Sequence, residues 1–127
     1  MNCPACDVEM VELAEADQRV FACNDCGGLY AEGGELNQLL LHAGLPGISS
    51  LGGKVDPAAD AATCRECMID LIHIETGPRS DPLYYESCEG CSRVFIEPGL
   101  PAPTALADAQ DQLVEFFRVY VAKRGSK

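Results

Sequence analysis

The chain has 127 residues, is 47% hydrophobic and carries a formal net charge of −11. That acidity opposes generic binding to a nucleic-acid backbone, whose phosphates it would repel on average. No run of about 18 apolar residues predicts a membrane span, and Met1-Asn2-Cys3-Pro4 has neither the basic start nor the apolar stretch of a secretory leader.

Cys3-Pro4-Ala5-Cys6 comes first, and Cys23-Asn24-Asp25-Cys26 follows after 16 residues. Two residues between cysteines let both sulfurs point at one centre from a tight turn. Two such turns, brought together by a hairpin, supply the four thiolates of a tetrahedral site. Between them, residues 8–13 and 19–22 alternate like strands around a polar turn at 15–18. A third short strand is expected at 28–31. Residues 35–42 read as a short helix stopped by Gly44. Residues 44–62, rich in Gly, Pro, Ala and Ser, read as a linker.

The pattern then returns. Cys64-Arg65-Glu66-Cys67 is followed after 20 residues by Cys88-Glu89-Gly90-Cys91. Residues 69–74 and 83–86 read as strands around a Gly/Pro-rich turn at 76–82, with a third strand at 93–96. Pro98 and Pro103 interrupt the chain. Thr104 can then cap a helix running to about Lys123, with Gly125 past its end. Leu106, Ala109, Leu113, Phe117 and Tyr120 recur at helical spacing, and Phe116 and Val121 widen the face. So wide a stripe must be covered, either by the chain's own ribbons or by a partner.

A shift of 61 lays Cys3 and Cys6 on Cys64 and Cys67. A shift of 65 lays Cys23 and Cys26 on Cys88 and Cys91, and continues through Leu29 with Val94, Tyr30 with Phe95, Glu32 with Glu97 and Gly34 with Gly99. This internal repeat predicts two units, each closed on its own metal and folding independently. The expected fold is a small metal-stabilised α+β protein: two four-cysteine zinc ribbons (β-hairpins with zinc knuckles), a short helix after the first and a longer C-terminal helix. The expected organisation is ribbon one with its helix at 1–43, a linker at 44–62, ribbon two at 63–100, and a helix with a basic tail at 101–127. Units of roughly 40 residues rarely fold alone without a metal or disulfide staple. Thiols kept reduced in the cytoplasm make metal the expected staple.

The predicted ligands are Cys3, Cys6, Cys23 and Cys26 for one Zn2+, and Cys64, Cys67, Cys88 and Cys91 for a second. Four sulfurs fill the zinc tetrahedron and leave no position for water or substrate, so each site is structural and no enzyme is expected. With all cysteines ionised, two zinc sites would take the net charge to about −15. A one-iron electron-transfer site uses the same donor set and stands as an alternative. His42 and His73 are surplus to complete ligand sets.

Cys3-Pro4-Ala5-Cys6, Cys23-Asn24-Asp25-Cys26-Gly27-Gly28-Leu29-Tyr30 and Gly34-Glu35-Leu36 together resemble the TFIIB-type zinc-ribbon family over about residues 2–42. That family reads CPxC, a hairpin, CxxCGG with an aromatic two further on, and a GEL helix start. The resemblance implies metal ligation by Cys3, Cys6, Cys23 and Cys26. The second repeat keeps its four cysteines but has Ser92-Arg93 for the Gly-Gly pair and Leu100-Pro101 where the helix would begin, so it looks like a diverged copy. Two functional readings follow. One is a non-catalytic, cytoplasmic protein-interaction adaptor related to transcription, which engages an unidentified protein through the C-terminal helix and does not bind nucleic acid. The other is a nucleic-acid-binding regulator using a basic strip of Arg65, Arg79, Arg93 and the C-terminal Lys/Arg cluster. No small-molecule substrate is expected.

Overall fold

Leu29-Tyr30-Ala31 and Val94-Phe95-Ile96 are apolar on both faces, a pattern suited to the middle of a sheet and not to its edge. The computed structural model, which describes residues 2–15, 18–57, 62–64, 66–77, 80–97 and 102–123, puts both there. The elements are β1 (Val11–Glu15), β2 (Gln18–Ala22), β3 (Leu29–Glu32), α1 (Gly33–His42), a 3-10 turn (Ile48–Ser50), β4 (Lys54–Val55), β5 (Ile72–Thr76), β6 (Leu83–Ser87), β7 (Arg93–Ile96) and α2 (Leu106–Lys123). The strands form one antiparallel sheet in the order β1-β2-β3-β7-β6-β5-β4.

The two repeats therefore join edge to edge through β3 and β7. The register pairs Leu29 with Ile96, Tyr30 with Phe95 and Ala31 with Val94. Tyr30 and Phe95 are equivalent residues of the two repeats, so their pairing marks a local twofold axis. Each repeat's third strand hides the other's edge, removing two rows of unpaired backbone groups. Each ribbon has the expected cysteine set of its own, but the two are joined in one sheet with shared cores, where separate units were expected.

One face of the sheet carries Leu13, Val20, Ala22, Leu29, Ala31, Tyr85, Val94 and Ile96, packed under α1 and α2. In α2, Leu106, Ala109, Leu113, Phe116, Phe117 and Tyr120 are all buried. The helix lies against β1, β2, β6 and α1, and so bridges both repeats. Tyr85 meets Phe117 and Tyr120 edge-on, each at 5.4 Å. The Tyr120 hydroxyl donates to the Gly52 carbonyl at 2.8 Å. The apolar stripe is thus filled by the chain's own core, and the reading in which it is free for a partner is corrected.

Of the stretch 44–62, expected as a linker, residues 44–57 carry structure. Gly44 (φ 78°) ends α1 with its N–H on Leu41 and the Leu45 N–H on Leu40, a Schellman closure. Leu51 is fully buried, and β4 covers the outer edge of β5. Gly53 (φ 114°) runs so close to α2 that an added Cβ would lie 2.2 Å from the Tyr120 hydroxyl. The expected stop at Gly125, the basic tail at Arg124 and Lys127, Arg65, Arg79, Gly99 and the Leu100-Pro101 exit lie outside the described residues.

Candidate metal centres

Strands β1 and β5 start three residues later than alternation predicts, and the reason is the knuckle before each. The Cys3 N–H donates to the Val8 carbonyl at 2.7 Å, and the Asp7 N–H donates back to Cys3 at 2.9 Å. The same pair of bonds recurs as Cys64 to Ile69 with Met68 to Cys64, as Cys23 to Gly28 with Gly27 to Cys23, and as Cys88 to Arg93 with Ser92 to Cys88. Val8 and Ile69 are consumed by these turns and cannot join the ladder. Each turn closes through one left-handed residue: Asp7 (φ 59°), Gly27 (φ 74°), Met68 (φ 56°) and Ser92 (φ 61°). Only one of the four is glycine, so three knuckles carry a left-handed side chain, which disfavours them by about 1–2 kcal/mol each.

These turns aim the sulfurs inward. Cys3, Cys6, Cys23 and Cys26 place their Sγ atoms within 4.8 Å of one another, and so do Cys64, Cys67, Cys88 and Cys91. All eight predicted ligands fall in the predicted sets. Between knuckles, Cys3 Sγ lies 3.8 Å from Cys26 Sγ, and Cys64 Sγ lies 3.7 Å from Cys91 Sγ. A zinc tetrahedron with Zn–S of about 2.3 Å has an edge of about 3.8 Å. The separations therefore fit a shared cation and are far too long for a disulfide. Each cluster could hold one zinc ion, and the four donors of each would close its coordination.

Burial and close sulfur neighbours shift several of the thiols from their ordinary values. Burial pushes Cys3 and Cys26 up to about 11. The neighbouring Cys88 sulfur, followed by burial, pushes Cys67 up to about 12. Burial also acts to raise Cys64, but the Tyr30 hydroxyl and the N–H groups of Cys67 and Glu66 outweigh it and draw the thiol down to about 6. Cys23 is drawn down against burial by the N–H groups of Cys26 and Asp25. One sulfur in each cluster is thus drawn down while Cys3, Cys26 and Cys67 are pushed up, by burial and by the sulfurs beside them. A dication between the four sulfurs favours the thiolates and releases the protons.

Both clusters lie on the sheet face opposite the helices, in one apolar group with Met10, Leu71, Tyr30 and Phe95. The twofold axis makes the aromatics cross over. Phe95 packs against Gly28 beside the first cluster, where an added Cβ would come within 2.7 Å of its ring. This explains the second glycine after Cys26. Tyr30 reaches the second cluster, its hydroxyl 3.2 Å from Cys64 Sγ. Arg93, standing where the first repeat has Gly28, covers the Tyr30 ring at 5.9 Å and pairs with Glu32 and Glu66. Cysteine spacing does not reveal the Tyr30–Cys64 contact; the signal available is the equivalence of Tyr30 and Phe95.

The histidines join neither cluster. His42 ends α1 exposed to solvent. His73 stacks on Tyr84 at 4.3 Å, pairs across strands with Glu86 and has Nε2 3.6 Å from Glu75. Among the described residues, no helix is long and apolar enough to cross a membrane.

No curated protein and no solved structure matches the chain. Residues 2–42 match the family model of the TFIIB-type zinc ribbon, described as transcription factor zinc-finger, and the second cysteine cluster at 64–91 is consistent with a diverged second copy of that ribbon.

Proposed function

We propose that this chain is a zinc-stabilised, non-catalytic adaptor of the reducing cytoplasm that binds a protein partner. The observation that carries this reading is the state of its cations. Arg93, which a phosphate-binding strip would need, is held between Glu32 and Glu66 with its side chain mostly buried. Arg19 lies against Glu12 and Glu32, Arg118 against Glu115 and Lys123 against Asp81. With a net charge of −11, these four cations of the described residues, each engaged by a carboxylate, offer little to attract a phosphate backbone. Two closed tetrathiolate sites offer no open coordination position for catalysis.

The apolar stripe of α2 is internal, so a partner would use other surface. Met68 is 68% exposed and Ile69 42% exposed at the tip of the third knuckle, where a rigid turn presents them. A role as a nucleic-acid-binding regulator is the second reading, favoured by the family that residues 2–42 match. Fluorescence anisotropy with generic duplex DNA and with RNA at physiological salt separates the two. The adaptor reading expects no measurable binding. Micromolar affinity with a steep salt slope would overturn it. Capture of one protein by the zinc-loaded chain, lost on Met68→Ser with Ile69→Ser at unchanged zinc content, is the positive result expected.

A further inference from the structure

The repeats exchange aromatic residues across their twofold axis, and the exchange is unequal. Phe95 of the second repeat reaches the first cluster with a bare ring. Tyr30 of the first repeat reaches the second cluster with a hydroxyl, 3.2 Å from Cys64 Sγ. A metal-bound cysteine has no proton to give, so the tyrosine O–H must be the donor. We propose that Tyr30 is a positioning residue for the second metal centre, whose hydrogen bond to the Cys64 thiolate makes that centre hold its metal more tightly than the first and makes it depend on the folding of the first repeat.

The packing of Tyr30 would be satisfied by a phenylalanine. Phe95 occupies the equivalent position, is equally buried, and packs opposite Tyr30 at 6.3 Å between centroids. The hydroxyl is therefore what separates the two aromatics in their effect on the clusters they reach. It is also held in place. Tyr30 is 1% exposed and fixed by the β3–β7 ladder. Arg93 lies over its ring and is anchored by Glu66, inside the Cys64–Cys67 knuckle itself, and by Glu32. The Arg93 charge and the Tyr30 hydroxyl both act on the second site. For the first cluster, the non-cysteine donors among the described residues are backbone ones: the Gly28 N–H, 3.3 Å from Cys26 Sγ, and the N–H groups of Ala5 on Cys3 and Asp25 on Cys23. Four thiolates around Zn2+ leave about −2 on the site, and hydrogen bonds that draw off this charge secure both the ligands and the metal. Loss of such an outer partner lowers metal affinity by roughly 10- to 100-fold.

The inference rests on both clusters holding metal, so the test begins with metal content. Wild type and Tyr30→Phe, each zinc-loaded, are analysed for zinc and then mixed with a chromophoric chelator while zinc release is followed. The wild type should hold two zinc ions and release them in a fast phase from the first site and a slow phase from the second. In Tyr30→Phe the slow phase should accelerate about 10- to 100-fold with the fast phase unchanged. Cadmium NMR assigns the sites through coupling to cysteine β-protons. The resonance coupled to Cys64 should shift in the variant, and that coupled to Cys3 should not. Equal acceleration of both phases, a change confined to the first site, or no change in rate and resonance would each overturn the proposal. Failure of the wild type to hold two metals would instead overturn the two-site reading beneath it.

Discussion

Phe117→Ala tests whether α2 is the core of this protein. Phe117 is fully buried, with its ring 5.4 Å from Tyr85, 4.9 Å from Phe116 and 6.1 Å from Tyr120. Truncating a buried phenylalanine removes its transfer free energy and leaves a cavity, together about 3–5 kcal/mol. Each lost aromatic pair adds about 0.5–1.5 kcal/mol beyond area. The sheet below is pinned by the metal knuckles and cannot collapse freely into the gap, so the upper part of the range is expected, about 4–5 kcal/mol. A domain of this size is stabilised by only about 6–19 kcal/mol in total. Urea unfolding followed by circular dichroism, with free zinc held constant, measures the loss. Val119→Ala, at a position 38% exposed, should stay within about 0.5 kcal/mol. Because Tyr85 belongs to the second repeat and Leu13 and Val20 to the first, amide exchange should quicken in both. A loss under about 1 kcal/mol, or exchange that changes in one repeat only, would refute this packing.

Two further perturbations follow from the shared sheet and its buried carboxylate. Cys23→Ser should release metal from the first cluster and also destabilise the second repeat, read as lost amide dispersion on both sides of the β3–β7 seam; a fully intact spectrum for residues 64–96 would show that the repeats fold separately. Glu86 is 6% exposed, and burial raises its carboxyl pKa above the ordinary value, so its favourable protonated contribution is lost as pH rises through that raised pKa. Glu86→Gln should therefore raise the melting temperature at about pH 8, with the gain shrinking as pH falls; a gain independent of pH would mean that the carboxylate is fully compensated.

The metal knuckles are legible in the sequence because their information is local. CxxC spacing and the turn geometry span six residues, and the repeat supplies an internal check. The helices are legible for the same reason: Gly44 and the periodic stripe are short-range signals. What periodicity does not encode is which surface covers a stripe, and the answer here, both halves of a joined sheet, is non-local. The joining itself leaves a trace in the two-sided apolar character of Leu29-Tyr30-Ala31 and Val94-Phe95-Ile96, which an edge strand would not carry. The composition of 44–62 suggests a linker because Gly and Pro mark turns. Leu51, buried in the helix-covered core, shows that a glycine-rich connection can still supply core. Tyr30 and Cys64 are 34 residues apart in the chain and meet only through the twofold axis.

Metal content of the purified chain, taken by elemental analysis alongside its absorption spectrum, tests the central claim most directly. Two complete tetrathiolate clusters predict a ratio near two zinc per chain, little iron and a colourless solution. A ratio near one, or the visible bands of a ferric tetrathiolate centre, would contradict the account.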